Sequence, residues 1–543
     1  MAEDFDAIVI GSGMGGLSVA SILAQVFGKR VLILERHFKI GGFTRTFERP
    51  GGYHWDVGLH YVGGITEGSF PRRVFDFVTG GTLTWNPLPE SFEKFVYPDL
   101  SFELRTGKDR WLADLSVAFP AERKALRRYV TDLFRVTTWS MASLAATPMP
   151  EFVKKLLGLI FFRGRRLDRL TTGQYLSKNF SDPRLRAVLA SQWGDYGLPP
   201  SLSSFRVHAT IALHYLDGAF YPIGGSSGIA AGAVKVVKDA GGDVRATHEV
   251  TGVILDGKRA VGVRAVRSAA GEKTEVEFRA PIVISDAGAY TTYARLIPES
   301  FPLPFRGELE KLVRPWSAVT LYVGFKDDPR KLGFKGENHW IYSGYDHDRL
   351  FEESRGITAG KATWCYLSFP SLKDPSAKVH TAEIITGAET TDFAKWSEQP
   401  WRRRGEDYSA LKARISDALL DFVDVRYPGF RDLVAFHELS TPLTVESFTG
   451  HPSGMIYGVP ATLERYKMDW LKVHTPVENL FLTGSDVVSH GIIGALMAGF
   501  ITAGAIFGWR RGFGPITRAV NAYAESAAAP SSTAPKSPQS GQP

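Results

Sequence analysis

Three glycines near the N-terminus constrain the chain more than anything else in it. Residues 6–35 read DAIVIGSGMGGLSVASILAQVFGKRVLILE, with Gly11, Gly13 and Gly16 separating a short apolar run from a stretch of helical spacing. The pattern predicts a buried strand at 6–10, a tight turn, a helix to about Phe27 and a second strand ending at Glu35, together one βαβ unit. Gly11 permits the turn, Gly13 brings backbone close to a pyrophosphate, and Gly16 lets the helix approach the strand. Free N–H groups and the helix dipole at that point favour an anion. A carboxylate at Glu35 accepts hydrogen bonds from ribose hydroxyls and repels a 2′-phosphate. The unit therefore predicts a dinucleotide other than NADP, with FAD and NAD both open.

The rest of the chain bounds what surrounds that unit. Its 543 residues predict about three structural units of roughly 100–200 residues each. Residues 120–190 read as mostly helical, and residues 230–290 as short strands with an Asp-Gly turn at 256–257. Cys365 is the sole cysteine, which excludes an intramolecular disulfide framework and any cysteine cluster, so no metal is expected. The opening MAEDFD runs straight into the first strand with no secretory signal peptide, and a cytoplasmic location is expected. The net charge of +7 is spread over a large surface and does not point to nucleic acid.

Three further segments carry their own expectations. His490–Trp509 is apolar and about long enough to span a bilayer, yet its five glycines and the strand-like NLFLTGSD before it favour a buried helix beneath a cofactor. Residues 151–166, EFVKKLLGLIFFRGRR, set an apolar run between basic ends, which fits either peripheral contact with a membrane surface or a helix buried against its neighbours. The Ala/Ser/Pro/Gln-rich tail at 526–543 is expected to be disordered.

Gly41-Gly42-Phe43-Thr44-Arg45-Thr46 and the following YHWDVGLHY at 53–61 resemble the flavin-contacting run of the amine oxidase and phytoene desaturase superfamily. Leu482-Thr483-Gly484-Ser485-Asp486, followed by Gly491 and Gly494-Ala495, resembles that superfamily's closing motif. The runs SQWGDYGLPPSLSSF at 191–205, HAT at 208–210, HYLDGAFYP at 214–222, HYVG at 60–63 and FTGHPSGMIYG at 448–458 resemble its retinol saturase and carotenoid isomerase branch. The likeness covers nearly the whole chain except the tail.

That resemblance implies FAD and a mixed α/β fold. A Rossmann-type FAD-binding domain would be assembled from 1–75, 205–290 and 465–525. A substrate-binding domain at 76–204 and 291–464 would carry a sheet and a helical part. The implied cofactor contacts are Gly11, Ser12, Gly13, Met14, Gly15, Gly16, Glu35, Arg36, Gly41, Gly42, Arg45, Gly58, Leu59, His60, Val250, Gly484, Asp486, Gly494 and Ala495. Phe43 stands where the superfamily commonly has arginine, and Arg45 takes over the phosphate contact in this reading. Val250 matches the position whose backbone holds adenine.

The implied activity is oxidoreduction at a carbon–carbon double bond of an apolar polyene or isoprenoid lipid, by hydride transfer at flavin N5, with reduction favoured. Alkene reduction also needs a proton, and His60, Tyr61, His208, His214, Tyr215 and Tyr221 are the candidate donors or cavity-lining groups. The alternatives are a carotenoid desaturase or cis–trans isomerase, an amine oxidase-like flavoenzyme, and a non-catalytic FAD-binding escort. An amine oxidase predicts a lysine near N5 and an aromatic pair flanking the flavin, and the sequence identifies neither. No second glycine fingerprint marks a site for a nicotinamide, so the electron partner is open.

Overall fold

The computed structural model describes residues 5–146, 149, 151–269, 271–313 and 316–528. The predicted βαβ unit is β1 (Ala7–Ile10), α1 (Met14–Phe27) and β2 (Val31–Leu34), and every residue of both strands is buried. Full burial on both faces is what an all-parallel sheet under helices requires, and it explains why these strands are short apolar runs without alternation. Three more strands complete that sheet in the order 243–245, β2, β1, 282–285, 480–482, with every pairing parallel. The nucleotide-type sheet is thus gathered from three widely separated stretches of chain. An antiparallel meander, His248–Asp256, Arg259–Ala269 and Glu272–Arg279, leads from its edge strand to strand 282–285.

Helix Gly491–Gly508 has the length and hydropathy of a membrane span. Here it lies along α1: a Cβ added at Gly499 would meet Ser18 Cβ at 2.4 Å, and Ser18 Oγ donates to the Leu496 carbonyl at 2.9 Å. Glycines let two backbones approach more closely than any side chain permits.

A seven-stranded mixed sheet forms the second layer, in the order 434–440, 316–325, 381–389, 364–368, 338–342, 91–96, 101–105. Its far face packs on helix Gly405–Asp424 in a separate apolar cluster. The helical part comprises Arg123–Ala145, Glu151–Ile160, Phe162–Leu167, Thr172–Asn179 and Pro183–Ala190.

Two expected boundaries differ. Within 205–290, helix Phe205–His214 packs on Arg123–Ala145, in the helical part, and strand Ala219–Pro222 joins Val62–Gly63 and Trp85–Pro87 in a small sheet. The chain returns to the nucleotide sheet only with helix Ser227–Asp239. Helix Gly514–Ala528 runs through the first three residues expected in the tail, and 529–543 lie outside the described residues.

Candidate functional site

A single cavity of about 920 Å³ begins at the glycine turn and runs between the two large sheets. At its nucleotide end Gly11 has a φ of +94°, and a Cβ at Gly16 would stand 2.4 Å from the Gly11 carbonyl, so the turn and the close helix approach both require glycine. The N-cap of α1 is Gly13, which has no side chain to cap the helix. Glu35 is buried and accepts from Ser12 N at 3.0 Å, Ser12 Oγ at 2.6 Å and His37 N at 2.8 Å. Ser12 Oγ in turn accepts from Gly41 N at 3.0 Å, tying the acid, the turn and the Gly-Gly pair together. Val250 and its neighbours His248 and Glu249 line the same end. Arg45 is buried on the wall and donates to the Gly42 carbonyl at 2.6 Å. Gly58 is where Phe43 fits, since a Cβ there would meet the Phe43 ring at 3.0 Å.

Asp286, which the sequence reading missed, lies opposite the turn. A Cβ at Gly13 would meet its Oδ2 at 2.5 Å. Burial, with the charges of Glu35 and Asp486 nearby, pushes its carboxyl up to about 7 against the pull of the Gly16 and Gly13 backbone donors. Neutrality suits a carboxyl that faces the place of a pyrophosphate.

Aromatic side chains dominate the inner end, with Trp316, Tyr322, Trp340, Trp364 and Tyr366 on the wall. Gly194 and Asp195 enter the cavity from the turn 191–196. Tyr457 Oη donates to the Gly194 carbonyl at 2.8 Å, and a Cβ at Gly194 would strike the Trp340 ring at 2.4 Å. Behind this wall lies a buried polar network. Tyr61 Oη bridges Glu93 and Asp195, with 2.9 Å to Asp195 Oδ2. Glu93 also accepts from Trp340 Nε1 at 3.2 Å and Gln192 Nε2 at 2.8 Å. His60 Nδ1 lies 2.6 Å from Glu383. Lys373 donates to the His60 carbonyl at 2.9 Å and to Ser368 Oγ at 2.6 Å, and burial brings its ammonium down to about 7 despite Glu383 and Asp56 nearby.

Of the six candidate proton donors, His60 alone stands on the cavity wall. Tyr61 lies one residue behind it. His208 is enclosed between Tyr129 Oη at 2.7 Å and Tyr196 Oη at 3.4 Å, and burial lowers it to about 3. His214 accepts from Gly63 N at 3.1 Å and burial lowers it to about 4. Tyr215 stacks on Tyr61 at 4.4 Å, and Tyr221 donates to Asp56, whose other oxygen accepts from Ser226 N at 2.7 Å. These four hold the fold around the site and do not face the cavity. Among the cofactor candidates, Gly11–Gly15, Glu35, Arg36, Gly42, Arg45, Gly58–His60, Val250 and Ala495 line the cavity, whereas Gly16, Gly41, Gly484 and Gly494 support it from behind. Asp486 sits beside the cavity, its oxygens accepting from Val459 N and Ala289 N at 2.8 Å each. Among the described lysines, Lys39 and Lys412 line the cavity, and Lys373 lies behind the His60 backbone.

A dinucleotide fold whose cavity continues between aromatic walls defines the class, a dinucleotide-dependent oxidoreductase. A family described as NAD(P)-binding Rossmann-like domain matches residues 9–78. The chain is 33% identical over 534 residues to an all-trans-retinol 13,14-reductase of Danio rerio, covering 93% of this chain and 86% of that protein. It is 26% identical over 520 residues to the chloroplastic prolycopene isomerase of Arabidopsis thaliana, covering 92% and 82%. Its fold matches a putrescine oxidase with a TM-score of 0.61 at 16% identity, covering 93% and 99%. The chain belongs to the all-trans-retinol 13,14-reductase family.

Proposed function

We propose that the protein binds FAD along Gly11–Gly15, Glu35, Gly42, Arg45, Gly58–His60 and Val250, and reduces a carbon–carbon double bond of a retinoid- or carotenoid-like polyene. The observation that carries this reading is the continuity of the cavity, from a nucleotide cradle directly into an aromatic chamber. Bound there, the flavin supplies hydride. The chain's own part is to hold the adenosine end, to exclude water with the tryptophans and tyrosines of the inner wall, and to hold a flat apolar chain against them. Similarity to reductases at 33% identity, against 26% for an isomerase, supports reduction.

Mass spectrometry of a polyene incubated with photoreduced protein tests the reading. A gain of two hydrogens is expected. An unchanged mass with altered retention makes the protein an isomerase, and an unchanged polyene returns it to the role of an escort.

An apolar substrate has to come from a lipid phase, and the protein is proposed to meet that phase through 151–166. Phe152, Leu156, Leu159 and Ile160 are 71%, 54%, 70% and 61% exposed and follow the i, i+4, i+7, i+8 spacing of one helix face. Lys155, Arg163, Arg165 and Arg166 stand exposed around them. Such a rim attracts anionic headgroups, each basic residue contributing about 1 kcal/mol near the surface. Replacing Phe152, Leu159 and Phe162 together by Ser is expected to abolish co-sedimentation with vesicles containing phosphatidylserine while leaving Tm nearly unchanged. Undiminished sedimentation removes the membrane proposal and leaves the chemistry standing.

A further inference from the structure

Hydrogen counting at Tyr61 locates a proton. Its oxygen is within hydrogen-bond distance of two carboxyl groups, Glu93 and Asp195, yet a phenol carries one hydrogen. One of the two contacts must therefore be made by the hydrogen of a carboxylic acid. Glu93 also accepts from Trp340 Nε1 and Gln192 Nε2, donors that suit an ionised carboxylate. Among the described residues Asp195 has no such donor, and it stands on the cavity wall. The array then runs in one direction: Asp195 donates to Tyr61, and Tyr61 donates to Glu93.

We infer that Asp195 is the general acid of this site, supplying the proton that accompanies hydride transfer to the substrate double bond, while Tyr61 and Glu93 position it. The inference rests on the proposed reduction of a polyene. Its chemistry balances as follows. One alkene carbon takes the Asp195 proton on its π pair, forming a C–H bond. The neighbouring carbon is left cationic, its charge spread over the conjugated chain and faced by the rings of Trp340 and Tyr366. A flavin held along Gly11–Gly15 and Gly58–His60, reduced beforehand by a two-electron donor such as dithionite or a reduced nicotinamide, would supply the hydride for the second C–H bond. The Asp195 carboxylate that remains accepts from Tyr61 until a solvent proton restores the acid.

The surroundings agree. Burial and the Glu93 charge hold Asp195 well above the usual carboxylate range. Tyr196, Tyr215, Tyr342, Tyr366, Tyr457 and Lys373 are further titratable groups around this pair; burial raises the tyrosines above their ordinary range and lowers Lys373. Burial raises Glu93 too, to about 7, against the pull of the Tyr61, Trp340 and Gln192 donors; Asp195 lacks the last two, and unequal surroundings of this kind mark an acid–base assignment.

Infrared difference spectroscopy tests the assignment without turnover. The difference spectrum of the unsubstituted protein against Asp195→Asn at neutral pH is expected to show a carboxylic C=O band that shifts in D2O and returns in Asp195→Glu, while the contribution of the neutral Asp286, common to both proteins, cancels. In photoreduced protein, Asp195→Asn is expected to lower polyene reduction by roughly 100-fold or more, the usual worth of a general acid, with flavin content unchanged, and Asp195→Glu to recover part of it. A difference spectrum against Asp195→Asn that lacks this band, or turnover at the unsubstituted rate in that variant, overturns the inference. If the unsubstituted protein reduces no polyene, the functional reading has failed, and the infrared band still decides whether Asp195 holds the proton.

Discussion

The two ends of the cavity solve the same problem, a buried carboxyl group, by different means. At the nucleotide end, Glu35 and Asp486 take backbone N–H groups from nearby turns, so their charge is stabilised by peptide dipoles fixed by main-chain geometry. At the inner end, Glu93, Asp195 and Glu383 depend on side chains: Tyr61, Trp340, Gln192 and His60, brought from several separate segments. Backbone stabilisation is built into a local motif and suits a cofactor that stays in one place. Side-chain networks can hold a proton in one of several positions, which is what a protonation step needs.

The first way to break this comparison is steric. Gly16→Val would drive a branched side chain into the Gly11 carbonyl and toward Val9, whose Cγ1 lies 3.1 Å from the added Cβ. Loss of flavin absorbance and a destabilisation of about 3 kcal/mol or more are expected by spectroscopy and denaturant titration. A variant that keeps its flavin would show that backbone geometry does not define this end.

The second is electrostatic and concerns the exception at the nucleotide end, Asp286. Its carboxyl is raised in the folded state from 3.8 to about 7, so the native protein binds the proton more tightly than the unfolded chain does. Stability is therefore fully present at acid pH, is lost as pH rises from about 4 through 7, and stays reduced above that. At about 1.4 kcal/mol per pH unit, the penalty reaches up to about 4 kcal/mol above pH 7. Asp286→Asn is expected to raise Tm at about pH 8 and to have little effect at about pH 5. An equal effect at both would mean that the carboxyl is not held neutral.

How much of each end is legible in the sequence follows from the same contrast. The glycine turn, Glu35, the Gly-Gly pair and the Asp56-x-Gly58 turn are runs of neighbouring residues whose spacing carries the geometry. Asp286 was overlooked because ISDAG contains nothing but a strand end and a small acid. The inner network has no local signature at all. Glu93 sits in the strand Ser91–Val96, and Asp195 in a run quoted for family likeness without a role, and a fold is needed to bring both to Tyr61. The histidines misled for a related reason. A histidine in an apolar sequence reads as a functional group, whereas His208 and His214 are hydrogen-bonding struts.

His208 gives the smallest effect and sharpens the distinction between strut and acid. His208→Phe removes the partner of the buried Tyr129 hydroxyl and the longer contact to Tyr196, at an expected cost of about 1–3 kcal/mol in denaturant unfolding. Its folded-state value near 3 lies below the ordinary 6.5, so its contribution is present above about 6.5 and is lost as pH falls toward 3. The variant should therefore lose stability at neutral pH and show a flatter acid limb than the unsubstituted protein. Polyene reduction and its pH profile should be unchanged, because His208 does not reach the cavity. Loss of turnover at intact stability would place a proton path through the helical part and remove the separation between the network that holds the fold and the one that holds the proton.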